Sequence, residues 1–158
     1  MEQLWAPWRV EYIEKPKEGS CILCQKPKEN NDEANFILFR GRSNFVILNA
    51  FPYNPGHLMV APYQHIASLQ DFTDEGAKEH FDLVKKSLEL LKEILKPAGF
   101  NIGLNIGRVA GAGIEGHLHT HIVPRWQGDA NFMPVLSNTR VISEALTATY
   151  KKLKARSS

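Results

Sequence analysis

The sequence predicts an α+β fold. Five short apolar segments bounded by turn-forming residues are typical of β-strands, and two longer segments have apolar residues every three or four positions, which is typical of amphipathic helices. A chain of 158 residues is long enough for one domain with a buried core. We therefore expect a single domain over residues 1–158, with an N-terminal arm at residues 1–20.

The predicted strands are short, and in the sequence three precede the longer helix and two follow it. The first two are joined by residues 40–44, which predict a hairpin, and the third is entered through a turn rich in proline and glycine at residues 52–56. The last two are joined by a glycine-rich loop. The five strands are predicted at residues 36–39, 45–48, 57–61, 100–106 and 117–123.

The longer predicted helix begins after Thr73, which can cap it, and ends before Pro97 and Gly99. Its apolar face is predicted to contain Ala77, Phe81, Val84, Leu88, Leu91 and Leu95. His80 falls beside this face and is predicted to lie on the helix surface. A second amphipathic helix is predicted at residues 139–156, marked by Ile142, Leu146, Tyr150 and Leu153.

Composition excludes several classes of protein. The 19 basic and 17 acidic residues leave a formal charge of +2, which favours neither a nucleic-acid-binding protein nor a membrane-surface protein. The first 13 residues lack the continuous apolar core of a secretory signal, and no apolar run is long enough to cross a bilayer. We expect a cytoplasmic protein, in which two cysteines are thiols or metal ligands and not a disulfide.

Three of the six histidines lie within five positions. His117, His119 and His121 alternate with Leu118 and Thr120 on a predicted strand, so their imidazoles are expected on one face. Histidine can attack phosphorus, donate a proton and carry positive charge near neutral pH, and phosphoryl chemistry uses all three capacities. The alternative is the chance polar face of a half-exposed strand.

A metal site is a second interpretation of the same histidines. Two histidines separated by one residue on a strand bind metal in cupin-type and three-histidine zinc sites, and Gly111 lies where a cupin pattern has a glycine. The glutamate that a cupin needs after His119 is missing, because Val123 and Pro124 occupy those positions. The cupin interpretation is weakened, although a metallohydrolase remains an alternative.

The loop before the triad favours phosphate. Its glycines leave backbone N–H groups able to approach an anion closely, although glycines also serve ordinary turns. No Gly-Lys-Ser/Thr follows, so this is not a Walker A loop. The glycines of the loop are Gly107, Gly111, Gly113 and Gly116.

Together these motifs resemble the histidine-triad (HIT) family. Residues 117–123 match its His-apolar-His-apolar-His signature, with Thr120 as the one non-apolar filler. Asn49 precedes His57 by eight residues, as an Asp or Asn does in the family's other motif, and residues 105–107 resemble its Asn-x-Gly. The resemblance spans most of residues 21–134.

The resemblance implies a five-stranded antiparallel meander sheet and a homodimer, with a tetramer as the alternative. His119 would be the nucleophile that forms a covalent nucleotidyl intermediate, with its far nitrogen held by a backbone carbonyl, while His121 and His57 would assist at the phosphates. Asn49 would hold the ribose hydroxyls and Asn105 would orient the centre. The implied nucleotide-binding residues are Leu48, Asn49, Asn105, Gly111, Gly113, His117, His119 and His121.

The loop before the triad departs from the family pattern at two adjacent residues. Gly113 and Ile114 stand where relatives carry a serine, threonine or glutamine, so contact with the α-phosphate or protonation of the leaving group is arranged differently here. Residues 4–9 and 124–132, which contain the three tryptophans, resemble the branch that phosphorolyses diadenosine tetraphosphate (ATP adenylyltransferases). The tryptophans alternatively only pack an N-terminal arm. A hydrolase, an adenosine phosphoramidase and a nucleotide-binding regulator remain alternatives.

Cys21 and Cys24 form the remaining motif. Two cysteines at this spacing can bind zinc but do not fill a tetrahedral site, and His65 and His117 can complete it. The set resembles the one found in zinc-binding members of the HIT superfamily, which implies a structural Zn²⁺. The alternative is a pair of reduced core cysteines with a surface histidine.

Overall fold

A computed structural model describes residues 21–129 and 142–157 and confirms the α+β fold. The predicted N-terminal arm at residues 1–20, which contains Trp5 and Trp8, lies outside the described residues. So do residues 130–132 of the segment around Trp126 and the start of the predicted second helix at residues 139–141. The strands are β1 (Ile37–Arg40), β2 (Asn44–Leu48), β3 (Leu58–Pro62), β4 (Gly99–Leu104) and β5 (Thr120–Arg125).

The five strands form one antiparallel sheet in the order β1-β2-β3-β5-β4. This confirms the predicted five-stranded antiparallel sheet, with one difference from a simple meander. After β3 the chain crosses to the outer strand β4 and returns as β5, so β5 is an inner strand that pairs with both β3 and β4.

Two longer helices pack on one face of the sheet. They are α3 (Asp74–Leu95) and α4 (Leu146–Lys154), preceded in the chain by the single-turn helices α1 (Ile22–Gln25) and α2 (Asp32–Asn35). Side chains alternate along each strand, so every second residue points toward the helices. The helix-side core contains Val46, Leu48, Leu58, Val60, Leu83, Val84, Leu91, Ile122, Tyr150 and Leu153.

The opposite face carries the site. Its smaller core contains Leu23 from α1 together with Ile37, Phe45, Ile47, Met59 and Ala61 from the strands. Met59 pairs with His121 in the register between β3 and β5, so His121 points to this same face. The sheet therefore separates a helical layer from the face that carries the predicted chemistry.

The beginning and end of α3 confirm the sequence prediction. The Thr73 hydroxyl accepts a hydrogen bond from the Gly76 N–H at 3.1 Å, which satisfies one of the unpaired donors of the first turn. The helix ends at Leu95, and Lys96 adopts the left-handed conformation with φ of 48° immediately before Pro97.

The predicted burial at the start of α3 is wrong at two positions. Phe81 is 67% exposed, whereas His80 is 4% exposed and points toward the sheet. The two residues are adjacent and project about 100° apart around the helix axis, so the rotation of the helix decides which of them faces the core. The contacts of His80 with Asn44 and Thr120 fix that rotation. Sequence periodicity does not encode contacts with distant strands.

Two predicted element boundaries also differ. Strand β5 begins at Thr120, so His117 and His119 belong to the segment that leads into the strand. Helix α4 begins at Leu146, because residues 142–145 are not helical. No helix in the described parts of the chain has the length and apolar composition needed to cross a bilayer.

Candidate active site

His119 is held in a defined tautomer. Its Nδ1 lies 2.7 Å from the carbonyl oxygen of His117, and because a carbonyl only accepts, Nδ1 carries the hydrogen and donates it. The lone pair of the neutral ring is therefore on Nε2. Burial lowers the pKa of His119, an effect that its hydrogen bond to the His117 carbonyl only partly offsets. The ring is thus neutral near pH 7, as a nucleophile must be.

A chain of hydrogen bonds also fixes His121. The backbone N–H of Tyr53 donates to Nδ1 of His57 at 3.1 Å, so the hydrogen of a neutral His57 is on Nε2. That Nε2 lies 2.9 Å from Nδ1 of His121 and donates to it. His121 then carries its own hydrogen on Nε2. The ring centroids of His119 and His121 are 4.8 Å apart, so a ring that offers a lone pair and a ring that carries an N–H are neighbours at this site.

The predicted ribose-binding residue lies at the same site. The backbone N–H of Asn49 donates to the carbonyl of His57 at 2.8 Å, and the Asn49 side-chain oxygen accepts from the Phe51 N–H at 2.9 Å. The Asn49 Nδ2 lies 3.4 Å from His57 Nδ1. The structure therefore brings Asn49, His57 and His121 together, as the family pattern implies.

The four predicted metal ligands converge in a second cluster. The ligand atoms of Cys21, Cys24, His65 and His117 all lie within 4.8 Å of one another. Both sulfurs are 3.3 Å from Nδ1 of His117, and the Cys24 sulfur is 3.3 Å from Nδ1 of His65. Two thiols and two imidazoles are a donor set that suits tetrahedral zinc.

His117 is oriented toward the cysteines by its other nitrogen. Its Nε2 donates to the carbonyl of Pro62 at 2.8 Å, which leaves the lone pair on Nδ1, the atom that faces both sulfurs. Gly116 permits the close approach of His65, because a Cβ at this position would lie 3.1 Å from the His65 Nε2. In the described parts of the chain, Cys21, Cys24, His65 and His117 are the only group of three or more His, Cys, Asp or Glu residues whose ligand atoms converge. The triad histidines do not form one.

A cavity of about 570 Å³ opens beside His119 and His121. Its lining combines apolar side chains, among them Ile22, Leu23 and Ile47, with residues of the glycine-rich loop. The predicted residues Leu48, Asn49, Gly111 and Gly113 all line it. The size and the mixed lining suit a small organic ligand.

Asn105 lines a second cavity of about 460 Å³, together with residues of β4. His121 and Tyr53 line both cavities. That Asn105 belongs to the nucleotide site stays a prediction. Three further residues that the sequence analysis did not select, Tyr53, Lys26 and Arg108, line the main cavity. A basic residue between the glycines was a usable signal for Arg108.

Comparison with known proteins agrees with this geometry. A model of the HIT domain matches residues 30–128 of the chain, which include the triad, Asn49 and His57. The chain belongs to the HIT domain family. Cys21 and Cys24 fall outside the matched segment of this HIT protein.

Relatives of this HIT protein include two named enzymes. The AP-4-A phosphorylase of Mycobacterium tuberculosis is 37% identical over 97% of this chain and 83% of the relative. An asymmetrical bis(5'-nucleosyl)-tetraphosphatase of Schizosaccharomyces pombe is 29% identical over 59% of this chain and 50% of the relative. A zinc-bound histidine triad protein of Mycobacterium smegmatis has the same fold, with a TM-score of 0.69 and 23% identity, over 86% of this chain and 91% of that one. The chain is a nucleotide-processing HIT enzyme.

Proposed function

We propose that this enzyme transfers a nucleotidyl group from an adenosine polyphosphate through a covalent intermediate on His119. The hydrogen bond from His119 Nδ1 to the His117 carbonyl carries the proposal, because it leaves the Nε2 lone pair of a neutral, buried imidazole beside the cavity. His121, with its hydrogen on Nε2, supplies a donor to a phosphate oxygen, where charge develops in the transition state.

The cavity supports a nucleotide as the substrate. The apolar side chains of Ile22, Leu23 and Ile47 in its lining suit a base, and Asn49, which lines the same cavity, would hold the ribose hydroxyls. Arg108 of the glycine-rich loop also lines the cavity, and its positive charge would attract the phosphates of the substrate. The loop glycines Gly111 and Gly113 add backbone N–H groups at the position where relatives use a polar side chain.

Diadenosine tetraphosphate is the proposed substrate, supported by the phosphorylase relative of 37% identity. The His119 Nε2 attacks the α-phosphorus, forming an N–P bond while the P–O bond to the remaining triphosphate breaks, and ATP leaves. A phosphate oxygen then attacks the adenylyl-histidine, and the N–P bond breaks to release ADP and the neutral imidazole. The products of phosphorolysis are therefore ATP and ADP.

Hydrolysis is the second candidate, supported by the tetraphosphatase relative. The triad serves either acceptor, and with water the products are ATP and AMP. An adenosine phosphoramidase would use the same intermediate with an amine as leaving group. Incubation with labelled diadenosine tetraphosphate, with and without millimolar phosphate, separates the acceptors. We expect ADP and ATP with phosphate and a strong loss of rate without it. Equal rates of AMP formation in both conditions would identify a hydrolase.

We propose a structural zinc ion at Cys21, Cys24, His65 and His117. The donor set, the convergence of the ligand atoms and the orientation of His117 Nδ1 support it. Four protein ligands leave no open position for an activated water, so the ion would stabilise the fold. A zinc-bound neighbour with the same fold is consistent with this site. Neither cysteine forms a disulfide, and we propose a reducing, cytoplasmic location on that basis.

We propose a homodimer that forms along β4. This strand is at the edge of the sheet, and within the described residues its outer side pairs with no other strand. It has no proline, lysine or bulge of the kind that blocks edge pairing, and Ile102 is 49% exposed. Antiparallel pairing of two β4 strands would form a continuous sheet of two chains.

A further inference from the structure

A buried polar chain lies on the helical side of the sheet and takes no part in the proposed chemistry. His80 of α3 contacts Asn44 of β2 at 3.0 Å and Thr120 of β5 at 2.7 Å. All three side chains are nearly inaccessible to solvent. A buried polar group without a hydrogen-bond partner lowers the free energy of unfolding. Each donor and acceptor of the three side chains is therefore expected to be paired, and this requirement determines the direction of each hydrogen bond.

The hydrogen bonds among Asn44, His80 and Thr120 all run in one direction. The Asn44 side-chain N–H₂ donates to the Gly76 carbonyl and to the Glu79 carboxylate, both at 3.0 Å, so its oxygen faces His80 and accepts from His80 Nδ1. The lone pair of the neutral His80 is therefore on Nε2, and the Thr120 hydroxyl donates to it.

Glu79 holds the Asn44 end of this hydrogen-bonded group in place. Glu79 accepts backbone N–H bonds from Arg42, Ser43 and Asn44 at 2.6 to 2.8 Å. One carboxylate of α3 thus fixes the turn between β1 and β2, and the next residue, His80, reaches across to β5. The anchor holds α3 at a fixed distance and rotation relative to the sheet.

Thr120 stands between the two histidines of the proposed chemistry. Side chains alternate on a strand, so Thr120 points to the helices while His121 points to the site face. His119 precedes Thr120 directly, and Thr120 is the first residue of β5. A tether on the Thr120 side chain therefore restricts rotation of the backbone that carries both imidazoles.

We propose that His80 is a positioning residue for His119 and acts through Thr120. The inference rests on the proposed function for its kinetic consequence and on the structure alone for the position of the His119 ring. It also explains why a threonine occupies a filler position at which the triad motif has an apolar residue. An apolar pair would fill the same space, but only a directional hydrogen bond fixes the strand in rotation.

A matched pair of variants tests this role. Thr120→Val removes the hydroxyl at nearly constant shape, and Thr120→Ser keeps it. We expect kcat for diadenosine tetraphosphate to fall about tenfold to a hundredfold in Thr120→Val with KM changed less than about twofold, because misplacement of a reacting group acts on the chemical step. Thr120→Ser should keep kcat within about threefold of the wild type. His80→Gln should retain most of the wild-type kcat, because the glutamine side-chain oxygen can accept a hydrogen bond from Thr120.

The control is Val84→Ala, which removes buried apolar volume from the helix that carries His80 and leaves the hydrogen-bonding groups of His80 and Thr120 in place. It should lower the melting temperature and leave kcat unchanged. A wild-type kcat in Thr120→Val, or an equal loss of kcat in Val84→Ala at a similar loss of melting temperature, would overturn the positioning role.

An NMR measurement separates this inference from the proposed function. The ¹⁵N shifts of His119 report its tautomer without any substrate, so they remain informative if the wild type does not turn over dinucleotides, an outcome that would reject the proposed function alone. We expect the wild type to show the Nδ1–H tautomer and Thr120→Val to shift toward exchange between tautomers. Identical His119 spectra in the two proteins would reject the role of His80.

Discussion

The carbonyl oxygen of His117 accepts the Nδ1 hydrogen of His119 at 2.7 Å, while the imidazole of His117 faces the sulfurs of Cys21 and Cys24 at 3.3 Å. One residue thus contributes its backbone to the candidate nucleophile and its side chain to the candidate zinc site. His117 is buried, and both nitrogens of its ring are engaged in hydrogen bonds. Movement of His117 on metal loss is therefore expected to move the His119 ring.

Removal of the nucleophile should separate catalysis from binding. In His119→Ala we expect turnover of diadenosine tetraphosphate to fall about a thousandfold or more, while the Kd for AMP changes little because the base and ribose contacts come from other elements. Calorimetry measures the binding, and mass spectrometry of quenched wild-type enzyme should find the acid-labile adenylyl group on His119. An adduct on His117 or His121 would contradict the assignment.

Removal of a proposed zinc ligand should act mainly on stability. The purified protein should contain about one zinc ion per chain, with two sulfur and two nitrogen ligands in its X-ray absorption spectrum. In Cys24→Ser we expect the melting temperature to fall by more than about 5 °C. The kcat of the protein that stays folded should change comparatively little. Metal-free protein with an unchanged melting temperature, or zinc bound by the three triad histidines, would reject this site.

Charge at the sheet edge should prevent dimer formation. The chain has a mass of 17.8 kDa, so light scattering after gel filtration should give twice that value for the wild type. Ile102→Lys places an ammonium group at the edge strand and should yield a monomer. Leu69→Lys is the matched control, because Leu69 has the same 49% exposure and lies on a turn far from β4 in the sequence. A monomeric wild type, or equal dissociation in both variants, would contradict the β4 interface.

His80 should make stability depend on pH. Burial lowers the pKa of His80 to about 4 from the usual 6.5, and its contacts, Asn44, Thr120, Phe72 and Phe81, carry no charge. Between those two pH values the unfolded chain binds a proton that the folded chain does not, so the free energy of unfolding decreases as pH falls from 6.5 toward 4.

The difference amounts to about 3 kcal/mol over the full window, at up to about 1.4 kcal/mol per pH unit. Urea unfolding between pH 4.5 and 7.5 measures it. His80→Gln has no titrating group at this position, so its unfolding free energy should vary less steeply with pH than that of the wild type, even though His117 and His119 titrate in both proteins. Parallel pH profiles would show that the pKa of His80 is the same in the folded and the unfolded chain.

Local patterns were sufficient for much of the site. The alternation at residues 117–121, the glycines that follow β4 and the cysteine pair are visible without any tertiary information, because each is a chemical requirement expressed over a few adjacent residues. The same holds for the cap at Thr73 and for the existence of five strands and two main helices. These features depend on hydrogen bonding and periodicity within one segment, so the sequence alone determined them.

Tertiary structure decided how the segments meet. Cys21 and His117 are 96 positions apart, and only the sheet order, with β5 between β3 and β4, places their ligand atoms together. The exposure of Phe81 and the burial of His80 were likewise decided by the rotation of α3, which depends on the partners Asn44 and Thr120 on two distant strands. A helix presents adjacent residues to directions about 100° apart, so packing and not periodicity chooses between them.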